Sequence, residues 1–223
     1  MSIGFWLLSL LSFLLEVFVV IAIVRGHHVR RFGLVLALCI WYALGTVGSI
    51  AIIQTYGYDT PAYGFLYWTQ DIVSHGLIVF MLLSLTGDAA RTAGQKSGFV
   101  LGLAGAVLLF VLGSVALLYK PGSHEWMTPL TRNISFSEAI LTFFLWTALV
   151  RGRTRDNLLL TVSAGIGLQV TGAVIATTFQ MYSSRSLVWL PDLLTYGAGV
   201  LALVIWGYAF WVNPATSAVR PES

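Results

Sequence analysis

The chain is short of charge. Only 9% of its residues are Asp, Glu, Lys or Arg, where a soluble domain carries about 25%. That scarcity excludes a freely soluble protein. The net charge of +3 is too small to argue for a nucleic-acid partner. Cysteine is nearly absent: Cys39 stands alone, so no disulfide can close within the chain. A thiolate in apolar surroundings is disfavoured, and Cys39 reads as packing. No H-E-x-x-H motif and no cysteine pair occur, which argues against a zinc site. Haem ligation across a membrane needs histidines on facing helices, and His75 is the one histidine inside an apolar run. No G-x-S-x-G and no glycine-rich phosphate loop are present. These absences point away from an enzyme and from any metal or cofactor.

What is abundant is apolar. Hydrophobic residues make up 57% of the chain and the mean hydropathy is +0.85. Seven apolar runs occur, at 3–24, 33–54, 64–86, 98–119, 134–150, 157–181 and 188–212. Each approaches the ~20 residues that cross the hydrocarbon of a bilayer. The expectation is an all-α polytopic membrane protein, one seven-helix domain over 1–212 with a short cytoplasmic tail at 213–223. The first run has no basic residues before it and a basic cluster after it, so it reads as an uncleaved anchor.

Charge placement orients the helices. Nine of the twelve basic residues fall on one side: Arg25, Arg30, Arg31, Arg91, Lys96, Arg151, Arg153, Arg155 and Arg220. Lys120, Arg132 and Arg185 fall on the other. Positive loops stay in the cytoplasm, which predicts the N-terminus outside and the C-terminus inside. The compactness of the chain reads as bacterial, hence a plasma (inner) membrane location, with the lipid bilayer as first partner. The basic face could also hold anionic lipid or a cytoplasmic protein.

A nine-residue stretch occurs twice. Residues 68–76 read W-T-Q-D-I-V-S-H-G and residues 189–197 read W-L-P-D-L-L-T-Y-G. Trp68, Asp71 and His75 share one helix face, and Trp189, Asp192 and Tyr196 repeat it. V-R-G recurs at Val24–Gly26 and Val150–Gly152. Two three-helix repeats, 3–86 and 134–212, would then flank a linker helix at 98–119. An odd helix is needed there because three spans alone would invert the second copy. The result is a 3+1+3 parallel repeat about an axis along the membrane normal. The linker lacks ionisable groups, and its Gly98, Gly102 and Ala106 stripe would let another helix approach closely.

The buried polar residues gather in the outer half. Asp71 lies about eight residues and His75 about twelve below the outer surface, which at about 1.5 Å per residue puts His75 near the midplane. Asp192 and Tyr196 are shallower. Glu138 lies near the outer end of span 5, Gln180 closes span 6, Gln169 sits mid-span and Glu16 is deepest. Charges at such depth are costly and normally face a partner or a wet cavity. An outward-facing pocket lined by Asp71, His75, Asp192, Tyr196, Glu16, Glu138, Gln169, Gln180, Trp68 and Trp189 is therefore expected.

Local roles compete with that reading. Asp192 can serve the first turn of span 7 beside Pro191. Ser135 followed by Glu138 has the form of a capping box, and this local role is the favoured one for Glu138. His75 can bond Asp71 one turn away. Glu16 has no cap and no i±4 partner, so it must be neutral or meet another helix. Trp68, Trp126, Trp189, Tyr56, Tyr58, Tyr63 and Tyr182 suit an outer aromatic belt, and Trp206, Tyr208 and Trp211 an inner one. His27 and His28 read as solvated. Asn133-Ile-Ser135 has the form of a glycosylation acceptor.

With these residues in view, the layout resembles the SWEET and PQ-loop transporters and the microbial rhodopsins. It is also similar to the seven-helix sensor regions attached to bacterial histidine kinases. The sequence departs from each. Pro191-Asp192 stands where a Pro-Gln pair would be sought, and Tyr196 stands four residues after Asp192, where a rhodopsin carries its retinal lysine. Two functions follow as expectations. One is transport of a small solute, coupled to protons through groups such as His75 and Glu16. The other is a ligand-sensing or scaffold module acting through a separate cytoplasmic partner.

Overall fold

In hydrocarbon no water is available to satisfy the backbone, so a long apolar run must bond its own amides as a helix. The computed structural model describes residues 3–57, 60–94, 97–119, 126–152, 156–182 and 189–213. Tyr58, Lys96, Lys120, Arg153, Arg155, Arg185 and Arg220 lie outside the described residues, as do the side chains of Gln180, Tyr182, Trp189 and Asp192. The described residues form seven helices: α1 (Ile3–Arg25), α2 (Val29–Tyr56), α3 (Pro61–Thr92), α4 (Ser97–Leu118), α5 (Met127–Arg151), α6 (Asn157–Tyr182) and α7 (Trp189–Val212). All seven are long and apolar enough to cross a membrane. The protein is thus all-α, with seven helices of membrane-spanning character.

Most helix ends fall within four residues of the sequence expectation, and two do not. α3 runs on to Thr92 because its polar last turns still bury Ala89 and Ala90. α5 begins at Met127, seven residues early, through a polar opening that carries Pro129 in its first turn and buries Leu130. Ser135 is therefore well inside α5. It cannot cap the helix, and the capping-box role for Glu138 falls with it.

Six helices close a ring. α1 packs on α2, α2 on α3, α3 on α5, α5 on α6, α6 on α7, and α7 back on α1. α4 lies outside the ring, against α3 and α5. Because α4 carries the chain back across, α3 and α5 can run parallel as direct neighbours. The Gly98 and Gly102 positions of α4 meet nothing within 4 Å, so among the described residues no helix approaches the small-residue stripe.

Burial is uneven along the bundle. The core residues lie in 19–23, 32–39, 78–90, 141–149, 158–170 and 202–210. These stretches share the end that holds the α1–α2 turn. Toward the opposite end, which carries Trp6 and the starts of α3, α5 and α7, apolar burial thins to scattered positions such as Leu130 and Ala176. The packed end is also tied by polar contacts. The buried His28 ring meets the Asn213 carbonyl through Nε2 at 2.6 Å and packs beside Phe32 and Phe210. Arg31 pairs with Asp156. His28 is therefore a buried tie between the first turn and the end of α7, and only His27 is exposed as expected.

Two glycines set the α6–α7 approach. Gly165 leaves room for the Trp206 indole and Gly172 for Ala198. Trp206 is 0% exposed, and its Nε1 donates to the Val162 carbonyl at 3.0 Å. It belongs to the core, whereas Tyr208 and Trp211 remain exposed where an inner belt was expected. An indole can be buried whole only when its N–H finds a partner, and the helix carbonyl facing Gly165 provides one.

Candidate functional site

The parallel α3–α5 junction brings the ionisable groups together. Asp71 and His75 are one turn apart on α3. Thr131 and Glu138 are seven residues apart on α5, again on one face. Running the same way, the two faces meet in register. Thr131 Oγ1 donates to Asp71 Oδ2 at 2.8 Å, and His75 Nδ1 donates to Glu138 Oε1 at 2.8 Å. The second imidazole nitrogen, Nε2, lies 3.6 Å from Asp71 Oδ1, an ionic distance rather than a hydrogen bond. His75 thus stands between two carboxylates, one on each helix.

The pair is sequestered. Glu138 is 1% exposed, and His75 is also buried. Glu138 Oε2 is buried with no hydrogen-bond partner among the described residues. Ser74 is buried beside His75 and turns its hydroxyl onto the Gln70 carbonyl at 2.6 Å. An imidazole whose two nitrogens face carboxylates on different helices can pass a proton to either side.

A second bond crosses the ring. Gln169 of α6 donates through Nε2 to the Tyr42 hydroxyl of α2 at 2.8 Å. The backbones of α2 and α6 do not meet, so these side chains span the interior. Glu138 and Ser74 lie near enough to influence the Tyr42 hydroxyl electrostatically, which puts this bridge beside the His75 cluster. Around it, Gly45 accommodates the Gln70 side chain, and Trp41 Nε1 donates to the Gln70 carbonyl at 3.2 Å.

Of the residues expected to line a pocket, Asp71, His75, Glu138 and Gln169 form this network. Glu16 is separate. It is 3% exposed on α1, and it does have a local partner, because Ser12 Oγ donates to its Oε1 at 3.0 Å. The expectation of no i±4 partner is corrected: Ser12 stands four residues before Glu16 within a long apolar run, where it is easily passed over. Trp68 is half-buried and packs edge-on against Tyr67. Tyr196 is 52% exposed and faces outward. Asp192 is the fourth residue of α7 whereas Asp71 is the eleventh of α3, so the two copies of the motif start at different depths in their helices. The side chains of Asp192, Gln180 and Trp189 lie outside the described residues. Asn133, in the glycosylation-like triplet, is inside α5 and donates to Ser114 of α4 at 3.2 Å, a helical position that does not suit an acceptor loop.

Tyr42, Ser74 and Thr131 are members that the sequence reading missed. Thr131 had a usable signal, its seven-residue spacing from Glu138. Tyr42 had none, because a lone tyrosine in an apolar run is indistinguishable from packing. The described residues hold no group of three His, Cys, Asp or Glu that could ligate a metal ion. Comparison with protein-family models, with curated proteins and with solved structures finds no match.

Proposed function

We propose that this protein moves a small solute across a bacterial inner membrane in exchange or symport with protons, and that His75 and Glu138 are its proton-carrying pair. The observation that carries the reading is the position of His75. It links α3 to α5 at the seam between two three-helix halves, and secondary transporters place their substrate and coupling groups at such seams, near the midplane.

The neighbour pattern supports a two-fold arrangement. α1–α2 has a counterpart in α5–α6, α2–α3 in α6–α7, and the α3–α5 seam in the α7–α1 seam. With the N-terminus outside and the C-terminus inside, the loosely packed end faces outward and the tied end faces the cytoplasm. That is what an outward-facing state of an alternating-access carrier requires. Asp71 and Thr131 would orient the pair, and Tyr42 and Gln169 would hold α2 and α6 across the path. Labelling of single cysteines placed at 122 and 154 with a membrane-impermeant reagent tests the orientation. Only the first should react from outside.

One observation favours a sensor as the second reading. The polar network and the tied end lie in opposite halves of the bundle, and the buried polar groups on the inner side among the described residues are few: Glu16, Thr86 and Ser163 beside the His28 tie. A solute could therefore be bound without a path onward. Reconstituted protein with an internal pH dye separates the readings. A carrier changes internal pH when an outward or inward solute gradient is imposed, and a sensor binds the same solute with no change.

A further inference from the structure

At the tied end charge does not balance among the described residues. Two carboxylates lie there and both are taken, Asp156 by Arg31 and Asp88 by Arg91. Arg25, Arg30 and Arg151 have no carboxylate partner among the described residues. Of these three, Arg25 is the one set against an aromatic ring: its Cζ lies over Trp211, 5.1 Å from the ring centroid. Arg25 ends α1, and Trp211 is the last residue but one of α7. Their contact closes the mouth of the α1–α7 seam.

Local packing fixes that ring. A Cβ at Gly207, one turn before Trp211, would meet Phe18 Cε1 at 2.7 Å. Without it, Phe18 of α1 settles against α7 and reaches the Trp211 ring, 5.5 Å between centroids. Phe18 and Arg25 are seven residues apart and share a face of α1. Trp211 is therefore met by Phe18 from the hydrocarbon side and by Arg25 from the helix end. A guanidinium set over an aromatic face keeps its N–H groups for other partners, and those of Arg25 have no acceptor among the described residues. Beneath the contact, Ile21 continues the Phe18 face, and Val204 and Tyr208 continue the Trp211 face. All of these are exposed, so two exposed, largely apolar stripes run side by side from Arg25 toward the midplane.

We infer that the α1–α7 seam binds an anionic phospholipid, its phosphate held by the Arg25 fork over Trp211 and its acyl chains lying along Phe18, Ile21 and Val204. Planar guanidinium and phosphate match as a two-bond contact. A soluble anion would use the fork and leave the stripes unused. A zwitterionic lipid would use both, but its cationic head would add positive charge to an end already in excess. The site lies across the helix ring from the α3–α5 seam and does not depend on the transport reading.

The test uses the full chain in phosphatidylcholine vesicles holding a small fraction of phospholipid brominated near the top of its chains. Quenching of Trp211 is read as the difference between each protein and its Trp211→Phe counterpart. Brominated phosphatidylglycerol should quench at about one fifth of the mole fraction that brominated phosphatidylcholine needs, the ratio expected of one basic residue at a membrane surface. Arg25→Gln, at an exposed position, should bring the two lipids level. Arg25→Lys keeps the charge without the fork and should show a smaller preference than the wild type. Arg151→Gln, on α5 across the ring, should leave the preference unchanged, and inorganic phosphate at constant ionic strength should not reverse the quenching. Equal quenching by the two lipids in the wild type, or a preference undiminished in Arg25→Gln or Arg25→Lys, would overturn the inference. So would an equal loss in Arg151→Gln, which marks a diffuse surface effect, or competition by phosphate, which marks a soluble anion.

Discussion

Removing His75 should cost far more than removing both members of its pair. In His75→Leu, Glu138 loses its only side-chain partner among the described residues: Oε1 loses the imidazole, Oε2 has none there, and the residue is 1% exposed. Breaking a buried pair from one side costs about 3–5 kcal/mol. Glu138→Leu should be milder, about 1–2 kcal/mol, because the imidazole can remain neutral and still faces Asp71. If the two effects were independent, the double variant would lose roughly their sum. Instead a Leu–Leu contact should restore packing at the α3–α5 seam, since buried pairs replaced by apolar groups are often neutral. With the double variant near neutral, the expected coupling is the whole sum of the single losses, about 4–7 kcal/mol in favour of the double variant. Reversible unfolding in mixed detergent micelles, followed by circular dichroism, supplies the four stabilities. Additivity within about 0.5 kcal/mol would mean that the pair does not form, and the site described above would dissolve with it.

Asp156 gives a pH-dependent case outside the helices. Its Oδ1 accepts from the Leu159 amide at 3.0 Å at the start of α6, and its other oxygen meets Arg31. Partial burial pushes its carboxyl up, but the Leu159 amide and the Arg31 guanidinium outweigh this and hold it below the ordinary aspartate range. A lowered value means that the stabilisation is complete above about pH 4, the unfolded aspartate range, and fades as pH falls through the lower folded value. Asp156→Ala should lose about 1–2 kcal/mol at neutral pH, mostly the cap, since an ion pair this exposed adds little. The gap to the wild type should close in acid, and a gap independent of pH down to 3 would refute the assignment. Gly165→Ala should destabilise by about 1–3 kcal/mol, because the new methyl meets the fully buried Trp206 indole. In a Trp206→Phe background the same change should cost less, and equal costs in both would show that the two do not touch.

The helices were legible because hydrocarbon leaves an apolar run little choice, and the run lengths gave their number and nearly all of their ends. The misses have a common cause. Hydropathy stops counting where a helix turns polar, so it cut α5 at 134 and concealed that Thr131 and Glu138 share one helical face. With α5 shortened, Glu138 looked like a cap. His28 looked solvated because it sits in a basic loop, and nothing local signals that Asn213, 185 residues away, closes over it. Trp206 looked like a belt residue because its partner is a backbone carbonyl, which leaves no mark in sequence. His75 and Asp71 were visible as intramembrane ionisable groups, but the α3–α5 packing that sets Glu138 against His75 was not.

The most direct measurement is internal pH in sealed proteoliposomes while gradients of small solutes are imposed across a panel of amines, carboxylates, sugars and amino acids. It should be made on the wild type and on Glu138→Gln, both shown to be folded by circular dichroism. The account predicts that at least one solute drives a pH change with the wild type, and that Glu138→Gln abolishes this change while still binding the solute. A pH change that persists undiminished in Glu138→Gln, or folded wild-type protein that binds a solute and moves no protons with it, would contradict the account.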